Sequence, residues 1–225
     1  MSIIREGESA IMENLLLELK LWAKLENCMS QDNFTKVLFH DLPFNHQDIM
    51  SWVMLNPQEM ILKAHLTIEK VIELFVEVQS GSDKILDDAR LSFSSKLAIA
   101  KNLEMDGNLS AFFKKINRIR NKFAHDLSYQ ISEEDVEDLR ALYNAISYSN
   151  APKIEGDFEV TFSGNVSIYS VVGRFDRTAK YSEASLRERL LTIITNLFVL
   201  KLPGYIHITR LQKDPAGAFS GLDLT

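Results

Sequence analysis

The sequence predicts a mainly α-helical protein that ends in a small α+β segment of ββα type. Its 225 residues include nine Gly and five Pro, few enough to favour long helices over many turns. Apolar residues recur at helical spacing through most of the first 150 positions. Further along, apolar and polar residues alternate as they do in strands. We therefore predict a helical domain over 1–150 and a small α+β appendage over 151–225.

Composition limits the classes of protein to consider. A hydrophobic content of 46% and a charged content of 25% are typical of a globular chain. The single cysteine, Cys28, excludes an intramolecular disulfide and argues against a cysteine-based zinc site, so we expect neither a metal nor a cofactor. The N-terminus has acids within its apolar region and lacks a signal-peptide pattern. The longest uncharged run, 190–200, is too short for a membrane span, and we expect a cytoplasmic protein.

Two helices are predicted in the first third of the chain. Residues 9–26 form an amphipathic pattern, and we expect this helix to cover the core. The second helix starts at Asn56 and Pro57, because Asn is a good N-cap, Pro fits the first turn and Glu59 suits the positive end of the dipole. This helix is apolar on most of its circumference, which predicts a central position. The Ser-Gly-Ser sequence at 80–82 ends it.

One histidine interrupts the apolar stripe of this central helix. We interpret His65 as a core residue with its hydrogen bonds satisfied. Glu69 follows one turn later, and it could be a buried acid paired with an arginine from another helix. Whether either residue belongs to a functional site is left open.

Two more helices frame the stretch that carries the chemistry. A second buried helix is predicted over 89–103, and Asp-Gly-Asn at 106–108 predicts a turn. Ser132 with Asp135 predicts the capped start of a helix that ends near Ile146. The acids in its first turn suit the positive end of the helix dipole.

The remaining elements are predicted from a change of periodicity. Alternation over 158–162, the Ser-Gly-Asn turn at 163–165 and a further apolar run predict a β-hairpin. A helix is expected over 182–201, ended by Pro-Gly at 203–204. Residues 205–211 are a candidate third strand.

Residues 109–126 contain everything that suggests chemistry. Laid on a helix at about 100° per residue, they form three faces. One face is an apolar stripe, with residues Leu109, Phe112, Phe113, Ile116, Ile119 and Phe123. The solvated face carries Lys115, Arg118, Lys122 and Asp126. Between them lies a polar strip of Asn117, Arg120, Asn121, Ala124 and His125.

The polar strip is unusual for an exposed helix surface. Asn is a poor helix former, so two of them on one strip need a reason. The chain has a net charge of -6, yet this helix carries five basic residues and no acid over 110–124. One basic island in an acidic protein predicts a local anion site rather than a broad polyanion-binding surface. The alternative is a basic, solvated face on a packing helix.

The amino-acid sequence of this helix resembles that of a known superfamily. Residues 120–125 read Arg-Asn-x-x-x-His, and Ile-Asn-Arg-Ile precedes them at 116–119. With the helices on either side, this resembles the HEPN superfamily over about residues 57–146. Within that superfamily, the segment INRIRNKFAH is most similar to the corresponding segment of proteins of the mannitol-operon repressor group.

The resemblance implies a fold and a chemistry. It implies a HEPN-like helical bundle that dimerises with the motif helices near the two-fold axis, and many members cleave RNA without a metal. The resemblance implies that Arg120 and Asn121 orient and neutralise the scissile phosphate, while His125 moves the proton as the 2′-hydroxyl attacks. The neighbouring residues expected to bind RNA phosphates are Asn117, Arg118 and Lys122.

Two functions stay open at this stage. The first is a metal-independent endoribonuclease or toxin-like effector that binds RNA and pairs with a cognate antitoxin. The second is a non-catalytic regulatory or interaction protein, in which Arg120 and His125 are structural. A homodimer is expected in both, because Arg120 and His125 differ by about 140° in direction and about 7.5 Å in rise on one helix. A carboxylate such as Glu69, or a partner-chain group, is expected to satisfy Arg120.

Overall fold

The computed structural model describes residues 42–82, 86, 90–126, 128–147, 151–168 and 171–213. The predicted helix over 9–26 lies outside these residues. Helix predominates, with one two-stranded sheet, which confirms the mainly α fold with a small β part. In chain order the elements are α1 (His46–Ser51), α2 (Pro57–Ser80), α3 (Phe93–Asn102), α4 (Gly107–His125), α5 (Glu133–Ala145), β1 (Glu159–Ile168), β2 (Val171–Lys180), α6 (Leu186–Asn196) and α7 (Leu202–Lys213).

Helix α2 is the central element, as predicted. The Asn56 side chain accepts a hydrogen bond from the Glu59 backbone at 2.9 Å, and the Glu59 carboxylate accepts one from the Asn56 backbone at 3.0 Å. These two bonds form a capping box that fixes the helix start. Gly81 ends the helix with φ +66°, a left-handed conformation that costs glycine little. Helices α3, α4, α6 and α7 all pack against α2.

Helix α4 starts earlier than predicted. The residues expected to form a turn begin the helix instead: Asp106 is the N-cap, and its side chain accepts from the Leu109 backbone at 2.7 Å. Helix α3 is shorter than predicted and starts after Ser92, whose hydroxyl accepts from the Ser95 backbone. Capping by short polar side chains explains both starts.

The β-hairpin is confirmed, but the predicted turn within it is wrong. The strands pair antiparallel from Glu159 opposite Lys180 to Ile168 opposite Val171, so the chain reverses between these last two residues. The Ser-Gly-Asn sequence at 163–165 lies inside β1. Gly and Asn are unfavourable in strands, but the ladder to β2 pairs the backbone groups of this segment as a turn would.

The predicted third strand over 205–211 is also wrong, because this segment is helix α7. The Pro-Gly at 203–204 does not end the helical run. One π-helical turn, Leu197–Lys201, precedes Pro203 and joins α6 to α7. Proline has no backbone N–H to donate, and its ring clashes with the preceding turn of a regular α-helix. A widened π turn accommodates both features of Pro203.

Helices α6 and α7 share a core with the helices before residue 150. The ring of Tyr205 stacks on Phe75 of α2 with centroids 5.7 Å apart. The buried Lys201 Nζ donates to the carbonyls of Tyr143 and Ile146, at 2.8 and 2.6 Å. The division of the chain at residue 150 stays a prediction, and helices from the two sides of it are in contact.

The helical run Leu186–Arg210 is long and apolar enough to cross a membrane by length and composition. Of its most apolar window, 56% is buried inside the protein. The core helix of a soluble protein passes the same test, so this run is weak evidence for a span.

Candidate functional site

The apolar face of α4 packs into the core much as its sequence predicts. Phe123, near the end of the helix, is only half-buried. The fully buried members are Leu109, Phe112, Phe113, Ile116 and Ile119. This face fixes the rotation of α4, and it therefore determines which neighbours the polar residues meet.

One polar side of α4 lies against the acidic N-terminal half of α5. Lys115 Nζ is 2.9 Å from Asp135 Oδ1 and 2.6 Å from Asp138 Oδ2. Lys122 Nζ is 3.1 Å from the same Asp135 oxygen. The prediction that Lys115 is solvated is wrong: its side chain is 14% exposed, because α5 covers it. Lys122, predicted to bind RNA phosphate, has an intramolecular carboxylate partner.

Asp135 is the centre of this network. The residue is buried, and its carboxylate accepts hydrogen bonds from the hydroxyls of Tyr129 and Ser132 as well as from the lysines. Burial alone would raise the pKa of Asp135, but these hydrogen bonds and the lysine charge hold it well below its usual range. Burial and the bond to Asp135 raise the pKa of the Tyr129 hydroxyl above its usual value. Asp135 therefore stays ionised and ties α5 to α4.

The other polar side of α4 faces α2. His65 Nε2 lies 3.0 Å from Asn117 Oδ1, and the His65 ring stacks on Phe93 of α3 with centroids 4.7 Å apart. His65 is 6% exposed, which confirms it as a core residue. The expectation that it is fully satisfied is wrong, since its buried Nδ1 has no hydrogen-bond partner within the described residues.

The predicted pairing of Glu69 with an arginine is wrong. Glu69 Oε1 lies 2.6 Å from the Nζ of Lys96 on α3, and the same lysine bonds Glu73 at 2.7 Å. Arg120 instead donates from Nη1 to the Oδ1 of Asn121 at 3.1 Å. In the described ranges, no carboxylate lies within ion-pair distance of its guanidinium.

Three residues of α4 then form what we call the donor strip: Asn117, Arg120 and Asn121. A guanidinium has only donors, so the Asn121 atom that faces Arg120 must be the amide oxygen. The Asn117 oxygen is likewise engaged, with His65. The amide N–H groups of both asparagines and the remaining guanidinium N–H groups have no partner among the residues described. All three residues are partly exposed. A strip with occupied acceptors and open donors is suited to an anion.

Three exposed residues, Lys114, Arg118 and His125, lie beside this strip. On the uninterrupted helix their directions fall within about 60° of Asn121. Arg120 and His125 point about 140° apart, so one protomer does not bring them together. His125 forms no hydrogen bond or ion pair inside the part of the chain that the structure describes.

The charge on His65 follows from its surroundings. Burial lowers its pKa, the Asn117 bond raises it, the Arg120 charge lowers it and Glu69 raises it, with a lowered pKa as the net result. His65 is therefore neutral at pH 7, and Arg120 is the main positive charge beside it.

The site contains no metal cluster: within the described residues, no group of three His, Cys, Asp or Glu is arranged to hold an ion. Comparison of the chain with family models, curated proteins and solved structures gives no match. Sequence reasoning missed two features of the site, the Lys96 pair with Glu69 and the Asp135 network. Each joins residues of different helices, and spacing along a single helix carries no signal for such contacts.

Proposed function

We propose that this protein is a HEPN-type RNA-binding protein and a metal-independent endoribonuclease or toxin-like effector. The donor strip carries the proposal. A phosphodiester is an anion with acceptor oxygens only, so it complements a guanidinium and two outward amide N–H groups. The exposed Lys114 and Arg118 extend the positive charge along the same helix. The narrowness of this basic region in an acidic chain favours a local contact with single-stranded RNA.

The proposed chemistry assigns roles to three residues. Arg120 and Asn121 bind the non-bridging oxygens of the scissile phosphate and offset the charge that develops on them. The 2′-hydroxyl attacks phosphorus and loses its proton, and the 5′-oxygen of the next nucleotide leaves with a proton. His125 moves the proton, which an exposed imidazole can do as base or acid. The products are a 2′,3′-cyclic phosphate and a 5′-hydroxyl.

A homodimer completes this proposed site. Because Arg120 and His125 diverge on one helix, a two-fold axis is needed to line one groove with both residue types. Leu62 and Leu66, one turn apart on α2, are exposed large apolar side chains. An exposed apolar pair on the helix that packs against α4 is a suitable surface for a second copy of the chain.

Cleavage in EDTA is the test of this proposal. We expect the wild-type protein to cut unstructured RNA and to leave 2′,3′-cyclic ends. His125→Ala and Arg120→Ala should abolish cleavage, while Lys153→Ala, which removes an exposed charge outside the site, should not. Intact RNA across a wide panel of substrates would refute the enzymatic proposal.

The second candidate is a non-catalytic regulatory protein similar to the mannitol-operon repressor group. The hydrogen bonds between His65 and Asn117 and between Arg120 and Asn121 favour it, because side chains that are bonded within the protein have a structural role without any ligand. In this case we expect Arg120→Ala and His125→Ala to lower dimer stability, and we expect neither the variants nor the wild type to cleave RNA. Capture of a defined protein partner from native lysate, an antitoxin or a regulator, would support it. Cyclic-phosphate products in EDTA would contradict it.

A further inference from the structure

His65 occupies a position that the proposed chemistry does not use. It sits on α2, is 6% exposed, and is held flat against Phe93 at 4.7 Å. Its Nε2 meets the Oδ1 of Asn117, a member of the donor strip, at 3.0 Å. A buried imidazole fixed on one face and bonded to one polar side chain can act on the surface only through that side chain.

We propose that His65 is a positioning residue that holds Asn117 with its amide N–H groups turned outward, toward the RNA phosphate. The inference deepens the proposed RNA-binding function and rests on it for its ligand. His65 itself touches no substrate, because its Nδ1 is buried and its Nε2 is engaged by Asn117.

The direction of the hydrogen bond carries the argument. When Nε2–H donates to the Asn117 oxygen, the bare Nδ1 is left without a partner and the asparagine presents donors only. With the amide reversed, the ring proton would lie on the buried Nδ1. Both arrangements leave that atom without a partner within the described residues, but an orphaned N–H is the rarer case in protein interiors. The reversed amide would also turn its oxygen toward the anion.

The charges around His65 favour the neutral ring that this arrangement requires. Arg120 on α4 faces it and disfavours a second positive charge. Glu69 on α2 would favour protonation, but its carboxylate is bonded to Lys96 on α3. Protonation would also create an N–H at the buried Nδ1. The surroundings therefore hold His65 as a neutral donor.

Two variants of His65 separate positioning from packing. His65→Phe keeps a ring against Phe93 and removes the donor, and His65→Gln keeps a donor near the Nε2 position. With a labelled single-stranded oligouridylate as probe, we expect His65→Phe to weaken binding about fivefold, the effect of one neutral hydrogen bond. His65→Gln should restore affinity to within about twofold. In an Asn117→Ala background His65→Phe should have no further effect, because the pair acts as a unit.

Nitrogen NMR of the His65 ring tests the inference without RNA. The expected spectrum shows a protonated Nε2 and a bare Nδ1 at pH 7, with an Asn117 side-chain amide signal that shifts in His65→Phe. A protonated Nδ1, or an equal loss of affinity with and without Asn117, would overturn the inference. If no variant binds the oligouridylate while the ring spectrum is as expected, the proposed function fails and the positioning of Asn117 stands.

Discussion

Asp135 joins α5 to α4 through its polar contacts. It is buried and receives hydrogen bonds from two hydroxyls and two lysines. Asp135→Asn keeps the shape of the side chain and removes the charge, which leaves the nearly buried Lys115 with one partner. We expect a loss of about 2–4 kcal/mol in the free energy of unfolding, measured by urea titration.

Asp138→Asn is the matched control, because Asp138 pairs with the same lysine but its side chain is 54% exposed. It should cost less than about 1 kcal/mol. Equal losses in the two variants would contradict the central role of Asp135. Since the folded-state pKa of Asp135 is lowered, its contribution is present above the ordinary value of 3.8 and is lost as pH falls below it.

A second prediction concerns the acid sensitivity of His65. Its folded-state pKa lies below the ordinary value of 6.5, so the unfolded chain binds the proton more readily. The stability that His65 contributes is therefore complete above pH 6.5 and is lost as pH falls through the window below it. Unfolding curves at several pH values should show a weaker acid dependence in His65→Phe than in wild type. Parallel pH profiles would show that His65 is not buried as described.

At the scale of elements, the start and end of α5 are fixed by different means. Its start is a local cap at Ser132. At its end, Lys201 from the π turn donates to the carbonyls of Tyr143 and Ile146. Burial lowers the pKa of Lys201 to about 8, from an ordinary 10.5. The neutral amine still has the N–H groups that both carbonyls need.

This arrangement predicts an unusual alkaline effect. Between pH 8 and 10.5 the unfolded chain holds more protons than the folded one at this residue, so its contribution to stability rises with pH. The stability difference between wild type and Lys201→Met should grow by about 1–2 kcal/mol from pH 7.5 to pH 9.5. The difference for Lys101→Met, an exposed lysine, should stay constant. A constant difference for Lys201→Met would mean that the amine is solvated.

The starts of α2 and α5 were predictable because each cap and its partner lie within one turn of sequence, whereas the equally local caps of α3 and α4 were missed. Asn56 with Glu59 and Ser132 with Asp135 are such cases. The hairpin turn and the end of the last helix were not predictable in this way. The turn at 163–165 is replaced by strand pairing, and Pro203 is accommodated by a π turn, so both outcomes depend on neighbouring structure.

The candidate site was predictable only in part for the same reason. Helical spacing placed Asn117, Arg120 and Asn121 on one strip. It could not show that α5 neutralises Lys122, or that α3 supplies Lys96 to Glu69. Those partners follow from how α3 and α5 pack, which depends on the whole bundle.

At the scale of the whole molecule, the account predicts a homodimer. A monomer exposes Leu62 and Leu66 on α2. It also separates Arg120 from His125 in direction along α4. Analytical ultracentrifugation at micromolar concentration should give the dimer mass. Leu62→Lys with Leu66→Lys should shift the protein toward monomer, and Lys63→Leu, between them on α2, should not. A monomeric wild type would contradict this prediction.

If the enzyme account also holds, inactive protomers should impair active ones. Mixing an excess of His125→Ala chains with wild type should lower the specific activity of the wild-type chains, because each groove would use residues of both copies. Unchanged activity after subunit exchange would place each site within a single protomer.

The affinity of the protein for single-stranded RNA, measured for Arg120→Gln against Lys153→Gln, tests the central claim most directly. Both variants lose one positive charge, but only Arg120 belongs to the donor strip. Loss of a charge-assisted phosphate contact should weaken binding about tenfold or more in Arg120→Gln, and by less than about twofold in Lys153→Gln. Equal affinities for the two variants would contradict the claim that the donor strip of α4 binds RNA phosphate.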